Sequence, residues 1–201
     1  MKVFIGTLVH APDGPDSIEI KRCAAVLVTD AKDDDDGQAT TPTRAGQIRE
    51  VVDLSNADAR ELLLRRASCE GWEVIELAEG RMLCPGFIDT HCHAPQYSYS
   101  GTATDKPLME WLEAYTFPSE QRMEEQSQAK HVYSKVVKRL LLHGTTTAVY
   151  FATIHAGATK ELAKVIETYG QRAFVGKVLS HSEVSFFTFS SHIKPTFNVC
   201  L

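Results

Sequence analysis

Short stretches of alternating apolar and polar residues fill the first 85 residues of the chain. Clusters of Gly, Pro and Asp separate them, a pattern that predicts the strands of a small sheet. The predicted strands are KVFIGTLVH from residue 2, AAVLVTD from residue 24, IREVVDLS from residue 48, WEVIELAEG from residue 72 and RMLCPG from residue 81. One helix interrupts them, with Ser55 as the expected N-cap, Asp58 in its first turn and Gly71 as its stop.

After Pro85 the pattern changes to strands that alternate with amphipathic helices. The predicted strands are GFIDTHCH from residue 86, TTAVYFAT from residue 146 and RAFVGKV from residue 172. The first helix carries Val132, Val136, Val137, Leu140 and Leu141 on one face and ends at Gly144. The second carries Leu162, Val165, Ile166 and Tyr169 and ends at Gly170. This order indicates an α/β fold of parallel βαβ units, whose functional sites lie at the carboxyl ends of the strands.

Two histidines one residue apart close the first of these strands, in the sequence PGFIDTHCH. Successive side chains of a strand point to opposite faces, so His91 and His93 share a face and Cys92 points away. Both imidazoles can then reach one metal ion, because neutral imidazole nitrogen binds zinc at about 2.0–2.1 Å. Two packed or exposed histidines are the alternative, which the position at a carboxyl strand end disfavours. Imidazole also suits iron, copper and nickel.

Composition excludes several other classes of function. The chain is 43% hydrophobic, carries a net charge of −5 and has no block of Lys or Arg, unlike a nucleic-acid binder. No segment approaches the roughly 20 apolar residues of a membrane span. Five cysteines without paired spacing fit a reducing compartment, so we expect a cytoplasmic protein. The aspartates at 33–36 lack the spacing of a calcium loop and are expected in a solvated surface loop.

Four segments carry a resemblance to a known family. PGFIDTHCHAPQYSYSG, PLMEWLEAYTFPSEQR, HGTTTAVYFATIH and GQRAFVGKV resemble the guanine deaminases of the amidohydrolase superfamily. That family combines a (β/α)8 barrel with a small β-sandwich, which an N-terminal and a returning C-terminal segment form together. The resemblance therefore implies a β-sandwich segment over residues 1–85, a partial (β/α)8 barrel of three strands over residues 86–178 and a divergent tail over residues 179–201.

The resemblance also implies a reaction and a set of contacts. It implies a zinc-dependent hydrolase that converts guanine to xanthine and ammonia, and a homodimer for the full-length form. His91 and His93 would be two zinc ligands. Gln96 would bind the purine, because an amide both donates and accepts hydrogen bonds, and Ala94 and Pro95 would line the same edge. The expected partner is guanine, and the chain is expected to bind neither nucleic acid nor a membrane. The enzymatic alternative is another purine or triazine aminohydrolase of the superfamily.

Other residues of these motifs have weaker functional arguments. Asp89 is expected to accept a structural hydrogen bond rather than bind metal. Trp111 is expected to pack within its helix rather than cover a substrate pocket, and Cys92 is expected in the core. His155 follows the second barrel strand and either approaches the site or supports its loop.

In the family that the chain resembles, the catalytic glutamate and the remaining metal ligands come from later barrel strands. Within these 201 residues we therefore expect no general acid or base. An unclosed barrel leaves a sheet edge unpaired, so the isolated chain is expected to fold poorly and to lack deaminase activity. His181, Glu183 and His192 do not reproduce the family spacing and are not expected to replace the missing groups. A non-catalytic truncated form that binds a partner is the alternative from a different class.

Overall fold

A computed structural model describes most of the chain. It covers residues 1–14, 16–29, 46–178 and 186–187. The aspartates at 33–36 and the tail residues His181, Glu183 and His192 lie outside the described residues. Within the described part of the chain, no helix has the length and apolar character needed to cross a membrane.

Each strand and helix that the hydrophobic pattern predicts is present. In chain order the elements are strands β1 (Lys2–His10), β2 (Glu19–Val28) and β3 (Ile48–Asp53), helix α1 (Ala57–Glu70), strands β4 (Glu73–Glu76), β5 (Met82–Leu83) and β6 (Phe87–His93), helices α2 (Leu108–Trp111), α3 (Phe117–Gln121) and α4 (Gln126–Leu142), strand β7 (Thr145–Phe151), helix α5 (Ala156–Tyr169) and strands β8 (Arg172–Gly176) and β9 (Phe186–Phe187). Contacts divide the chain into two compact units, one ending at Gly86 and the other beginning at Phe87.

The first unit is a mixed five-stranded sheet with one helix. Its strand order is β3-β2-β1-β4, and β5 also pairs with β1. Leu63 of α1 belongs to one apolar cluster with Val3 and Ile5, while Leu83 belongs to a second cluster with Leu8 and Val26. A β-sandwich needs two facing sheets, and the described residues of this unit supply one.

Helix α1 begins one residue later than predicted. Its N-cap is Asn56, whose side chain accepts a hydrogen bond from the backbone N–H of Asp58 at 2.9 Å. The prediction of Ser55 as the N-cap is wrong. Ser55 instead donates its backbone N–H and its hydroxyl to Oδ1 of Asp53, at 2.8 and 2.6 Å. These bonds lower the pKa of the Asp53 carboxyl. Gly71 ends the helix as predicted, with φ at +67°, a conformation that favours glycine.

Gly6 of β1 lies directly against the side chain of Leu77. A Cβ at this position would lie 2.8 Å from Cδ1 and 2.9 Å from Cβ of Leu77. Gly6→Ala is therefore expected to lower the free energy of unfolding by about 1–3 kcal/mol, because overpacking forces neighbouring atoms to move. Urea denaturation followed by Trp72 fluorescence, in a Trp111→Phe background, measures the free energy of unfolding of this unit.

The matched control for Gly6→Ala is the same change in a Leu77→Ala background. Removing the Leu77 side chain beyond Cβ relieves the closest contact, so the two changes should cost less together than the sum of their separate costs. Additive effects would show that the approach to Cδ1 of Leu77 is not the cause of the instability, because Cβ of Leu77 stays in place.

The second unit is a four-stranded sheet in the order β6-β7-β8-β9. Strands β6, β7 and β8 are parallel, and α4 and α5 form the connections between them. Parallel strands with helical crossovers make this an α/β fold, as predicted. Strand β9, which the sequence pattern did not predict, pairs antiparallel with β8.

The core of the second unit contains the predicted apolar helix faces. Val132, Val136 and Val137 of α4 are each at most 4% exposed, and Leu140 and Leu141 pack partly buried against the same core. In α5, Leu162, Val165 and Ile166 are buried. Tyr169, the last residue of α5, is 41% exposed and does not join this core.

Candidate metal centre

The carboxyl end of β6 brings the two predicted metal ligands together. The Nε2 atoms of His91 and His93 are 3.1 Å apart, close enough for one N–H to donate to the other nitrogen. Their ring centroids are 5.0 Å apart. The side chain of His91 is exposed and that of His93 is partly buried. The convergence that strand alternation predicts is therefore present.

The geometry of this pair suits a shared metal ion. Two nitrogens bound to one tetrahedral zinc ion at about 2.0–2.1 Å are about 3.3 Å apart, which the observed separation nearly matches. Burial, and secondarily the neighbouring His91, lower the pKa of His93, and neutral imidazole is the form that binds metal. Among the described residues, no third His, Cys, Asp or Glu joins them in a metal-binding cluster.

Asp89 has the structural role that was expected. Its carboxylate accepts a hydrogen bond from the backbone N–H of His91 at 3.0 Å. The pairing of β6 with β7 shifts register between Asp89 and Cys92, so His91 lies where a β-bulge interrupts the ladder. The carboxylate gives this N–H a partner and holds the backbone that carries the first imidazole.

Cys92, between the two histidines, packs against the core of the second unit, as predicted. Burial, together with the charge of Asp89, raises the pKa of its thiol to about 11. The thiol therefore stays protonated near neutral pH and behaves as a small apolar side chain.

Phe151, which no sequence motif indicated, lies against both imidazoles. It ends β7 and pairs in register with His93. Its ring centroid is 4.7 Å from that of His91 and 5.0 Å from that of His93. Strand register could have found it, because residues at the ends of neighbouring parallel strands lie side by side.

The three predicted substrate contacts lie in a short 3-10 helix, Ala94–Tyr99, directly after β6. Pro95 suits its first turn, where a missing N–H costs no hydrogen bond. Ala94 and Pro95 are fully buried, and Ala94 belongs to the core of the second unit. Gln96 is partly buried, and its side chain makes no hydrogen bond to another described residue. Of the three, only the side chain of Gln96 is available to a ligand here.

Trp111 and His155 have supporting positions. Trp111 donates its Nε1–H to the carbonyl of Thr102 at 3.0 Å and lies 5.5 Å from the ring of Tyr99, which fits the packing role expected for it. His155 is the N-cap residue of α5. Its backbone N–H donates to Oγ1 of Thr153 at 3.2 Å, so its contacts favour the loop-supporting alternative.

A broad surface groove of about 820 Å³ lies elsewhere in this unit, between α4 and the 3-10 helix. The basic residues His131, Lys135, Lys138 and Arg139 line it, together with Tyr97. Neither His91 nor His93 lines it, so the histidine pair, rather than the groove, defines the candidate metal centre.

Comparison with known proteins places these features in a family. Residues 82–194 match the amidohydrolase family. The chain is 46% identical over 128 residues to the guanine deaminase of Mus musculus, covering 64% of this chain and 28% of that protein. It is 41% identical over 178 residues to the guanine deaminase of Dictyostelium discoideum. That match covers 89% of this chain and 37% of that protein.

A solved structure of a guanine deaminase is also similar to this chain in fold. The crystal structure of guanine deaminase from C. acetobutylicum, with guanine bound in its active site, matches with a TM-score of 0.63 at 28% identity. The match covers 87% of this chain and 35% of that one. This chain thus spans between 28% and 37% of the length of these three proteins. Because the family match covers more than half of the chain and includes the strand with both histidines, the chain belongs to the amidohydrolase family.

Proposed function

We propose that this chain forms the first metal-binding part of a zinc-dependent guanine deaminase, which hydrolyses guanine to xanthine and ammonia. The observation that carries the proposal is the His91–His93 pair, with its Nε2 atoms 3.1 Å apart at a carboxyl strand end. Identities of 46% and 41% to two guanine deaminases support guanine as the substrate. Other purine and triazine aminohydrolases are the competing substrate classes.

His91 and His93 hold the zinc ion through their Nε2 atoms in this proposal. Zinc supplies Lewis-acid chemistry there, which makes water a nucleophile near neutral pH. The bond from the His91 N–H to Asp89 fixes the strand backbone, and burial, by lowering the pKa of His93, favours the neutral ring that binds metal. Two imidazoles are fewer ligands than a catalytic zinc site uses. In this proposal the other ligands, and the general acid and base that the family resemblance implies, come from parts of the fold beyond the described residues.

Gln96 binds the edge of the purine in this proposal. Its amide offers a donor and an acceptor, and guanine presents both kinds of group. The absence of a partner for this amide among the described residues supports the role. The side chains of Ala94 and Pro95 are buried, so these two residues line the same edge through their backbone and hold Gln96 in place.

The proposal also includes the larger architecture. Residues 86–178 supply the first three strands of a (β/α)8 barrel, residues 1–85 supply one layer of a β-sandwich, and the sequence of residues 179–201 diverges from the family. The parallel order β6-β7-β8 supports the barrel. The proposal also makes the full-length protein a cytoplasmic homodimer, because the five cysteines show no regular spacing along the sequence and the family resemblance implies a dimer.

A chimera tests the proposed activity. Residues 1–178 replace the matching segment of the Dictyostelium discoideum guanine deaminase, and conversion of guanine to xanthine is followed by absorbance. The chimera should deaminate guanine, and Gln96→Ala in it should raise KM about tenfold, because losing one buried hydrogen bond to a ligand costs about 1–3 kcal/mol.

Substrate specificity separates the rival classes. Adenine and the triazine melamine serve as competing substrates, and Gln128→Ala, a change of the same kind on α4, serves as the matched control. A folded chimera that binds zinc but prefers adenine or melamine would contradict guanine as the substrate. An equal effect of Gln96→Ala and Gln128→Ala on KM would contradict the role of Gln96.

A further inference from the structure

We propose that Phe151 is a positioning residue that orients the imidazoles of His91 and His93 so that both Nε2 atoms face one metal ion. The inference deepens the proposed function and rests on it, because it takes these two histidines as metal ligands. Phe151 lies on a different strand from the histidines and has no donor atom of its own, so its contribution is through ring packing.

The three rings form one compact cluster. Their centroids are separated by 4.7 Å between Phe151 and His91, 5.0 Å between Phe151 and His93, and 5.0 Å between the two histidines. These distances are within the range of favourable aromatic pairs. The planes of Phe151 and His93 differ by 18°, which is a stack, whereas His91 is tilted by 39° from Phe151. Phe151 thus contacts a face of one imidazole and restricts the rotation of the other.

No described hydrogen bond from the Nδ1 atoms performs this task in the part of the chain that the structure covers. Metal-binding histidines usually donate the second ring N–H to a carboxylate or carbonyl, which fixes the ring orientation. The side-chain hydrogen bond described for His91 and His93 joins their two Nε2 atoms and leaves both Nδ1 atoms without a described partner. Beside the hydrogen bond between the two rings, packing against Phe151 is therefore the described contact that restricts how the rings turn.

The backbone of Phe151 is held more firmly than that of the histidines. Strand β7 lies between β6 and β8, and Phe151 pairs with His93 on one side and Gly176 on the other. Strand β6 ends the described sheet order and contains the bulge next to His91. Strand β7 pairs on both sides, whereas β6 pairs with β7 and carries the bulge. The ring of Phe151 is therefore a more rigid support than the strand that carries the histidines.

Substitutions at Phe151 separate ring positioning from plain apolar packing. Phe151→Tyr keeps the aromatic face, whereas Phe151→Leu and Phe151→Met keep much of the volume and lose the face. Phe174→Ala is the matched control, since Phe174 is a 49% exposed phenylalanine on β8 of the same sheet and makes no ring contact with either histidine. The full 201-residue chain is used throughout.

Two measurements test the inference. Nuclear Overhauser contacts between the ring protons of His91 and His93 report their orientation without metal, and zinc titration by calorimetry reports affinity. We expect Phe151→Tyr and Phe174→Ala to keep the contacts and a Kd within about twofold of the parent. Phe151→Leu and Phe151→Met should lose the contacts and weaken zinc binding about tenfold, at the lower end of effects seen when support for metal ligands is removed.

Retention of the ring contacts in Phe151→Leu and Phe151→Met would overturn the inference. Unchanged zinc affinity in these variants would do the same where the parent chain binds zinc. Failure of the parent to bind zinc would count against the proposed function instead, and the metal-free ring contacts would still decide whether Phe151 positions the imidazoles.

Discussion

Replacing His91 and His93 together with alanine should weaken zinc binding by the chain roughly a hundredfold or more, because both coordinating nitrogens are lost. The two Nε2 atoms are 3.1 Å apart. Little rearrangement is needed for both to bind one ion. Each single substitution should weaken binding by less than the double substitution, since one imidazole still offers a ligand.

Calorimetric titration with zinc measures this effect, with His131→Ala/His143→Ala as the matched control. That control also removes two exposed histidines, from α4 and from the residue after it. Zinc affinity of the parent should fall as the pH is lowered, because protons compete with the metal for imidazole nitrogen. Equal losses in the two double variants would show that zinc binds exposed histidines without preference for the strand-end pair.

Residues 85–178 show what a sequence pattern can predict about a site. Alternation along a strand places His91 and His93 on one face without any knowledge of tertiary structure, because it is a local property of extended backbone. The apolar face of α4 follows in the same way from helical periodicity, and the buried Val132, Val136 and Val137 confirm it. Local geometry was therefore enough to bring the candidate ligands together.

The features that the sequence missed depend on pairing between distant segments. Phe151 contacts both imidazoles only because β7 pairs with β6 in one register, and the bulge between Asp89 and Cys92 changes that register. The same limit explains the N-cap of α1. Ser55 is a good capping residue by type, but the carboxylate of Asp53 takes both of its donors. Competing hydrogen bonds of this kind cannot be ranked from residue type alone.

Gln171→Leu should lower the free energy of unfolding of the second unit by about 3 kcal/mol, because it leaves buried polar atoms without partners. Gln171 is fully buried. Its Oε1 accepts a hydrogen bond from the hydroxyl of Tyr150 at 2.7 Å, and its Nε2 donates to the carbonyl of Thr145 at 2.9 Å. Burial raises the pKa of Tyr150, so its hydroxyl remains a donor that needs an acceptor.

A double-mutant cycle with Tyr150→Phe identifies the cause of this loss. Tyr150→Phe alone should cost about 1–2 kcal/mol, since it leaves Oε1 of Gln171 unsatisfied. In the Gln171→Leu background the same change should cost little or become favourable, because the hydroxyl that it removes has already lost its acceptor. Urea denaturation followed by Trp111 fluorescence, in a Trp72→Phe background, confines the measurement to the second unit. Strictly additive effects would mean that Gln171 stabilises the unit through its packing alone, and the hydrogen bond to Tyr150 would then contribute nothing measurable.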